Sequence, residues 1–178
     1  MPDWRFNLFF LLALGTCILL ATGCRTPEER RQRKMKATLR MHLSAPSGQT
    51  ELREAVVIAG TTVFVEKAFF LDERSLDDAS IVDSPGGGFS IRLAFNDHGR
   101  MVLESITAAN PGRLITIFTQ FGADALDQAS WLAAPRIPRR LSDGVIVFTP
   151  SVPREIAEEI VLGLRNVAAE QKKLLSNW

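Results

Sequence analysis

Side chains that commonly bind metal ions are scarce in this sequence. Its 178 residues include two histidines, His42 and His98, and two cysteines, Cys17 and Cys24. Protein zinc sites use three or four such ligands at short spacings, and neither a His-Glu-x-x-His motif nor a closely spaced cysteine pair is present. His42 falls on the polar side of a predicted strand, and His98 falls at the start of a predicted helix. The sequence therefore predicts no metal site and no other cofactor.

Other patterns that support catalysis are incomplete. An acidic stretch lacks the Asp-x-Asp-x-Asp-Gly spacing of a calcium loop, and we interpret it as a solvated helix start; it comprises Asp72, Glu73, Asp77, Asp78 and Asp83. Gly86, Gly87 and Gly88 lack the Gly-Lys-Ser/Thr of a phosphate-binding loop, so a turn explains them. No Gly-x-Ser-x-Gly motif presents a serine nucleophile. We predict no catalytic residues and a protein that is not an enzyme, and we keep an unrecognised hydrolase as a further alternative.

The amino-terminal segment has the composition of a secretory signal. Residues 6–20 form an apolar run after Arg5, shorter than the roughly 20 residues of a membrane-spanning helix. The next residues, Leu20-Ala21-Thr22-Gly23-Cys24, resemble the lipobox of bacterial lipoproteins. This resemblance implies cleavage between Gly23 and Cys24 and a lipid on the Cys24 sulfur. The alternative is an uncleaved anchor helix that contains a cysteine by chance.

The lipoprotein resemblance also implies a location. A diacylglyceryl thioether on Cys24, usually with an acylated amino terminus, gives a stable membrane anchor because it has two or more chains. Cys17 would leave with the signal peptide. The residue after the lipidated cysteine is Arg25, not the aspartate that commonly retains lipoproteins in the inner membrane. We therefore expect a periplasm-facing domain, with the outer membrane favoured where there are two membranes.

Charge is distributed unevenly along the chain. Residues 25–40 contain seven basic and two acidic residues, and this predicted stalk either lies against anionic headgroups or is a solvated spacer. The whole chain has a formal net charge of +1, so it has no excess of positive charge for binding nucleic acid. We predict a signal peptide over 1–23, a lipidated cysteine and stalk over 24–37, a folded domain over 38–170 and a tail over 171–178.

Hydrophobic periodicity predicts the elements of the folded domain. Alternation of period two indicates strands, and a strand that is apolar on both faces is expected at the centre of a sheet. The predicted strands lie at 39–43, 54–58, 62–67, 89–95, 114–121 and 145–149, and the one at 114–121 is the central candidate.

Helical spacing and capping residues predict the helices. Ser75 begins a short helix, and Asn96 caps a helix that reaches Ala109 with Val102, Ile106 and Ala109 turned inward. The last helix runs from 152 or 153 to 172, with a stripe at Ile156, Ile160, Leu164 and Val167, broadened by Val161 and Ala168. These elements predict an α+β fold, in which one small domain has a mostly antiparallel sheet with two main helices packed on one face.

An ordered set of short segments between about 60 and 167 resembles the head subdomain of the first periplasmic domain of SecD and SecDF. The matching segments are Thr62–Lys67, Asp78–Val82, Gly87–Ile91, Asn96–Gly99, Gly112–Leu114, Ala133–Ile137 and Glu155–Arg165. The resemblance implies a domain that contacts emerging polypeptide and carries no catalytic residues. SecD has several transmembrane helices that draw on the proton gradient, and this sequence has no such set of apolar segments. The export motor is therefore not implied.

Large apolar side chains near the predicted 114–121 strand are candidates for polypeptide contact. We select Trp131, which is predicted to lie in an exposed loop, together with Phe121 and Leu132. Phe118 is interpreted as a core residue. We expect a binding module whose partners are the membrane, through the lipid anchor, and unfolded polypeptide. The alternative is a structural adaptor that docks on a folded envelope complex.

Overall fold

A computed structural model describes residues 26–46 and 53–176 of the chain. The chain divides into two compact units, Met1–Arg31 and Gln32–Trp178. The predicted signal peptide, its cleavage site between Gly23 and Cys24, and the lipidation site at Cys24 lie outside the described residues.

Helix α1 (Pro27–Lys34) occupies most of the predicted stalk. The backbone N–H of Glu29 donates to the Thr26 hydroxyl at 3.2 Å, and the backbone N–H of Thr26 donates to the Glu29 carboxylate at 3.3 Å. This reciprocal pair stabilises the helix start, where backbone N–H groups have no partner within the helix. Strand β1 then begins at Lys36, ahead of the predicted domain start at 38.

Five antiparallel strands form the larger sheet, in the order β2-β3-β1-β6-β7. The internal position of β6 confirms the prediction of a central strand near 114–121. The strands are β1 (Lys36–Ser44), β2 (Arg53–Ile58), β3 (Thr61–Asp72), β6 (Ile115–Gly122) and β7 (Gln128–Ala133).

Three further antiparallel strands form a second sheet in the order β4-β5-β8, comprising β4 (Leu76–Asp83), β5 (Phe89–Phe95) and β8 (Val145–Phe148). Helix α2 (Asp97–Ala109) follows β5, and helix α3 (Arg154–Ser176) follows β8. The α+β class is confirmed, but the expectation of one sheet is wrong. The chain leaves the first sheet at the end of β3 and enters the second through a single 3₁₀ turn at Glu73–Ser75.

The short helix predicted from Ser75 is also wrong, because that segment is strand β4. The pairing of β4 with β5 is irregular between Leu76 and Asp78, so Leu76 and Ala79 are both buried. The prediction rested on Ser75 as a capping residue and on Asp78 near a helix start, whereas Ser75 ends the 3₁₀ turn and Asp78 lies in the strand.

Helix α2 begins as predicted, since the Asn96 side chain accepts from the Gly99 backbone N–H at 2.9 Å. Its fully buried residues are Gly99, Leu103 and Thr107. Of the predicted stripe, Val102 and Ile106 are partly buried against the core as expected, whereas Ala109 is exposed. A Cβ at Gly99 would lie 2.9 Å from atoms of Ser75, so this glycine lets the helix approach closely. Thr107 tolerates burial because its hydroxyl donates to the Leu103 carbonyl at 2.7 Å and accepts from the Leu141 N–H at 2.9 Å.

The main hydrophobic core lies among the two sheets and the helices. Helix α3 packs on β1 of the first sheet and β4 of the second, and Ile160, Val161, Leu164 and Ala168 are buried as predicted. Sequence reasoning missed Gly163, where a Cβ would lie 2.7 Å from the backbone carbon of Lys36. Among the described residues, no helix combines the length and apolar character needed to cross a membrane.

We expect Gly163→Ala to destabilise the protein, although alanine favours helix formation. The added methyl group would meet the β1 backbone, which cannot move aside as a flexible side chain can. Overpacking of this kind costs about 1–3 kcal/mol. Urea unfolding would measure the loss, with Gly86→Ala as the control because no atom lies within 4 Å of its Cβ position. Wild-type stability of Gly163→Ala would contradict this close contact.

Candidate functional site

The candidate site lies on the face of the five-stranded sheet opposite helix α3. On β1, Ala37 and Leu39 point toward the main core, whereas Thr38, Arg40 and His42 point to this other face. Strands β2 and β7, at the two ends of the sheet, approach each other, so the sheet is strongly curved. The curved face encloses a second small cluster formed by Val56, Ile58 and Val65, with Val63, Trp131 and Ala134 packed against it.

An aromatic row crosses this face and consists of Phe69, His42, Trp131 and Phe118. The ring centroids of Phe69 and His42 are 6.2 Å apart, those of His42 and Trp131 5.5 Å, and those of Trp131 and Phe118 5.0 Å. Strand register produces the row, since His42 pairs with Phe69 and Phe118 pairs with Trp131. The exposed Arg40 guanidinium lies 5.6 Å from the Phe69 ring centroid, where it can interact with the ring face.

His42 is buried within this row, which corrects its predicted place on a polar surface. Only 8% of its surface is exposed, and Nδ1 lies 2.9 Å from the Glu66 backbone carbonyl. A carbonyl oxygen can only accept, so Nδ1 carries the proton. Burial lowers the pKa of His42 below its ordinary value, because the interior disfavours the charged ring.

Glu66 fixes the irregular part of β3 that surrounds His42. Its backbone carbonyl accepts from His42, and its half-buried carboxylate forms an ion pair with Arg113. The Nε of Arg113 also donates to the Ser44 carbonyl at 3.0 Å, and one Nη donates to the Asn110 side chain at 2.7 Å. The ion pair therefore connects β3, β1 and the end of helix α2.

An apolar groove of about 570 Å³ adjoins the row and the second cluster. One side is the β2–β3 hairpin, which turns at Ala59 and Gly60 with φ values of 49° and 78°. The other side consists of the chain after β7 and the chain after β8. The side chains that line the groove are all uncharged and include Ile58, Thr61, Val63, Ala134, Pro135 and Pro150.

Two hydrogen bonds hold the far wall of the groove. The Ser151 backbone N–H donates to the Leu132 carbonyl at 2.7 Å, and the Ser151 hydroxyl donates to the Trp131 carbonyl at 3.0 Å. The wall is thereby fixed to β7. No charged side chain among residues 26–46 and 53–176 lines the groove, so this lining can desolvate apolar groups but offers no side-chain counter-ion for a charged ligand.

The structure separates the three candidate contact residues. Trp131 lies in strand β7 rather than in a loop, and it is half-buried between the aromatic row and the second cluster. Phe121 and Leu132 are core residues, 2% and 1% exposed, and of the two only Leu132 is among the described residues that line the groove. Sequence reasoning missed Phe69, although the adjacent pair Phe69-Phe70 in a strand already implied that one ring faces outward.

The acidic stretch contacts helix α3 and does not form a solvated helix start. Three of its carboxylates pair with basic side chains of the helix: Asp77 with Lys172 at 2.7 Å, Asp83 with Arg154 at 2.7 Å, and Asp78 with Arg165 at 3.8 Å. The other two carboxylates accept from backbone N–H groups, Asp72 from that of Arg74 and Glu73 from that of Leu39. His98 is exposed at the start of α2. Over 26–46 and 53–176, no three His, Cys, Asp or Glu side chains are grouped to hold a metal ion.

Comparisons with known proteins give a structural likeness. No protein-family model matches the chain, and no curated protein matches it in sequence. One similar solved structure is of SecDF, described as a membrane component that enhances protein export. It has a TM-score of 0.57 and 18% identity, and the match covers 82% of this chain and 70% of the other. The fold is SecD-like.

A second SecDF structure, in a super-membrane-facing form, gives the same result. Its TM-score is 0.56 at 20% identity, and the match covers 81% of this chain but 21% of that one. This chain therefore corresponds to about a fifth of that longer protein. At these identities the likeness concerns the fold alone, and it confirms the predicted resemblance to a SecD-like domain.

We expect stability to fall as the pH drops below about 6.5, the ordinary pKa of histidine. The folded-state pKa of His42 is lowered, so the unfolded chain binds the proton more tightly. Stability from this group is therefore complete above the unfolded-state value and is lost as the pH falls toward the folded-state value. Urea unfolding between pH 7.5 and 5.5 should show this loss.

His42→Phe should flatten this pH dependence, because it keeps a ring in the row but removes the titrating group. The matched control is His98→Gln, which changes an exposed histidine and should leave the pH dependence intact. An unaltered slope in His42→Phe would show that another group causes the loss.

Proposed function

We propose that this protein is a lipid-anchored component of the bacterial cell envelope, with its domain facing the periplasm. Its SecD-like domain binds extended segments of unfolded polypeptide, catalyses no reaction, and assists protein export or folding. The observation that carries this proposal is the apolar groove, whose lining side chains are all uncharged. The fold likeness to SecDF, which is described as enhancing protein export, supports the same class of function.

The groove chemistry favours apolar segments of an unfolded chain over charged small molecules. A charged ligand would lose hydration without gaining a counter-ion from the lining side chains. Apolar side chains would instead gain about 25 cal/mol for each Å² removed from water. A volume of about 570 Å³ accommodates a few such side chains, so the proposed ligand is a short stretch of chain.

The position of the groove also suits an extended backbone. It lies where the β2–β3 hairpin faces the end of β7, and β2 and β7 are the edge strands of the larger sheet. Strand β2 has one strand partner in this sheet, so its outer N–H and C=O groups can pair with an added strand. On β7, the Trp131 and Leu132 carbonyls already accept from Ser151, so β2 is the edge that we propose for pairing. Backbone pairing would supply affinity independent of sequence, and the groove would select apolar side chains.

A structural adaptor is the second candidate, and one observation favours it. Val57 and Phe64 are both exposed on the outer face of the β2–β3 hairpin, and the Arg53 guanidinium lies 4.5 Å from the Phe64 ring centroid. An exposed aromatic and aliphatic patch beside an arginine has the composition of a protein-contact surface. A single folded partner retrieved through this hairpin would favour the adaptor.

We expect Thr61→Glu to weaken binding of a reduced and alkylated, permanently unfolded polypeptide by at least about tenfold, which corresponds to 1.4 kcal/mol. Thr61 lines the groove, so the new carboxylate would meet apolar ligand groups. Thr62→Glu is the matched control, since Thr62 is the exposed neighbour in β3 and does not line the groove. Titration followed by Trp131 fluorescence in a Trp4→Phe, Trp178→Phe background, with sedimentation in parallel, would measure both affinities. Equal losses in the two variants would contradict binding in the groove.

We expect Cys24→Ala to release the protein from the membrane fraction, because the proposed diacylglyceryl thioether can form only at the Cys24 sulfur. Fractionation of cells and mass spectrometry of the amino-terminal peptide would measure location and acylation. Cys17→Ala is the control and should remain lipidated. An unmodified Cys24 in a membrane-bound wild-type protein would favour the uncleaved anchor helix.

A further inference from the structure

The carboxyl-terminal end of helix α3 carries two adjacent leucines that are largely exposed. Leu174 and Leu175, in its last turn, are 66% and 78% exposed. Lys172 and Lys173 immediately precede them and are also exposed. Helix ends of this composition bind membrane interfaces, because leucines enter the headgroup region while lysine side chains reach the lipid phosphates.

This helix end lies beside the residues that begin the second compact unit. The Asn166 side chain donates to the Gln32 carbonyl at 2.8 Å and to the Met35 carbonyl at 2.9 Å. One turn further along α3, Glu170 pairs with the Lys36 ammonium group at 3.1 Å. The exposed leucines are therefore at the end of the unit where the chain enters from its amino-terminal side.

A shallow hollow extends the same surface toward the β6–β7 connection. Arg33, Lys34 and Lys36 line it together with Gly122–Leu126, and Leu126 is exposed. Lys34 also pairs with Asp124 at 2.9 Å. The surface thus combines exposed leucines with five basic side chains, Arg33, Lys34, Lys36, Lys172 and Lys173, against the carboxylates Asp77, Asp124, Asp127 and Glu170. Three of the basic side chains are paired, because Lys172 meets Asp77 at 2.7 Å in addition to the Lys34 and Lys36 pairs.

The covalent tether determines which partner this surface meets first. Residues 24–31, even fully extended, span at most about 30 Å. If Cys24 is lipidated as proposed above, the entry end of the unit is confined to that distance from the bilayer. A membrane is therefore present at high effective concentration, whereas a protein partner must diffuse to the same place.

We propose that this end of the domain, which we call the membrane pole, docks on an anionic membrane surface. The membrane pole comprises Leu126, Leu174 and Leu175 with Arg33, Lys34, Lys36, Lys172 and Lys173. The leucines enter the headgroup region and the basic side chains contact lipid phosphates. Helix α3 has 23 residues and is about 34 Å long, so this docking orients the polypeptide groove, beside the start of the helix, away from the bilayer. This inference rests on the proposed membrane attachment.

The test uses the full-length lipidated protein in vesicles of phosphatidylethanolamine and phosphatidylglycerol. An environment-sensitive fluorophore is attached at Leu175→Cys, and in a second protein at Val147→Cys, an exposed site on β8 shortly before α3 begins. The protein without an introduced cysteine is the labelling blank. We expect the emission of the fluorophore at position 175 to shift to the blue and to be quenched by lipid-borne quenchers. The emission of the fluorophore at position 147 should show neither change.

Charge reversal tests the electrostatic part of docking. Adding Lys173→Glu to Leu175→Cys should lower the docked fraction by at least about fivefold, since each basic residue near an anionic surface contributes to binding. The matched control is Arg139→Glu, an exposed change at the other end of β6, near the Gly112–Ile137 hydrogen bond. Vesicles of phosphatidylcholine alone should give less quenching.

The possible failures are distinguishable. Loss of the wild-type protein from the vesicles would overturn both the membrane attachment and the docking. A protein that stays with the vesicles while position 175 is quenched no more than position 147 would overturn docking alone. Protection of position 175 without lipid quenching would identify a protein contact instead, and equal effects of Lys173→Glu and Arg139→Glu would overturn the electrostatic contribution.

Discussion

The irregular pairing of β1 with β3 is the constraint on which the candidate site depends. His42 pairs with Phe69 and Ser44 with Val65, so β3 contains more residues than the part of β1 that it faces. Extra residues in one strand bend it and increase the local twist. The bend accompanies a curvature that brings β2 close to β7 and encloses the second cluster. A flat sheet would present the same side chains without the groove.

The buried polar groups of this region hold the bent part of β3 in place. Glu66 lies in the irregular stretch, where its carbonyl accepts from His42 and its carboxylate pairs with Arg113. Removal of one partner would leave a half-buried polar group unsatisfied, which costs more than the net value of the hydrogen bond. The other face of the larger sheet, which helix α3 covers, is held by apolar packing and by the close approach of Gly163 to β1. The face covered by helix α3 thus carries the main core, and the curved face forms the candidate site.

Sequence periodicity was sufficient where pairing is regular. Strand β5 and the Asn96 cap follow directly from alternation and from the side-chain oxygen that a helix start requires. Prediction failed at β4, where Ser75 and Asp78 have the residue types of a helix start but the segment pairs as an irregular strand. It was incomplete at α2, where the close approach of Gly99 brings Leu103 and Thr107 into the core. The candidate site was only partly predictable, because Trp131 was selected but its neighbours come from strands far apart in sequence. Local pattern carries no information about such curvature.

Crosslinking in intact cells would show whether the groove holds extended polypeptide. A photoreactive amino acid would replace Thr149, an exposed residue that lines the groove, and in a second protein Val147, an exposed residue of β8 outside it. We expect a broad range of crosslinked products from position 149, reduced when protein synthesis is halted, and few from position 147. A single discrete product from position 149, or the same products from both positions, would contradict it.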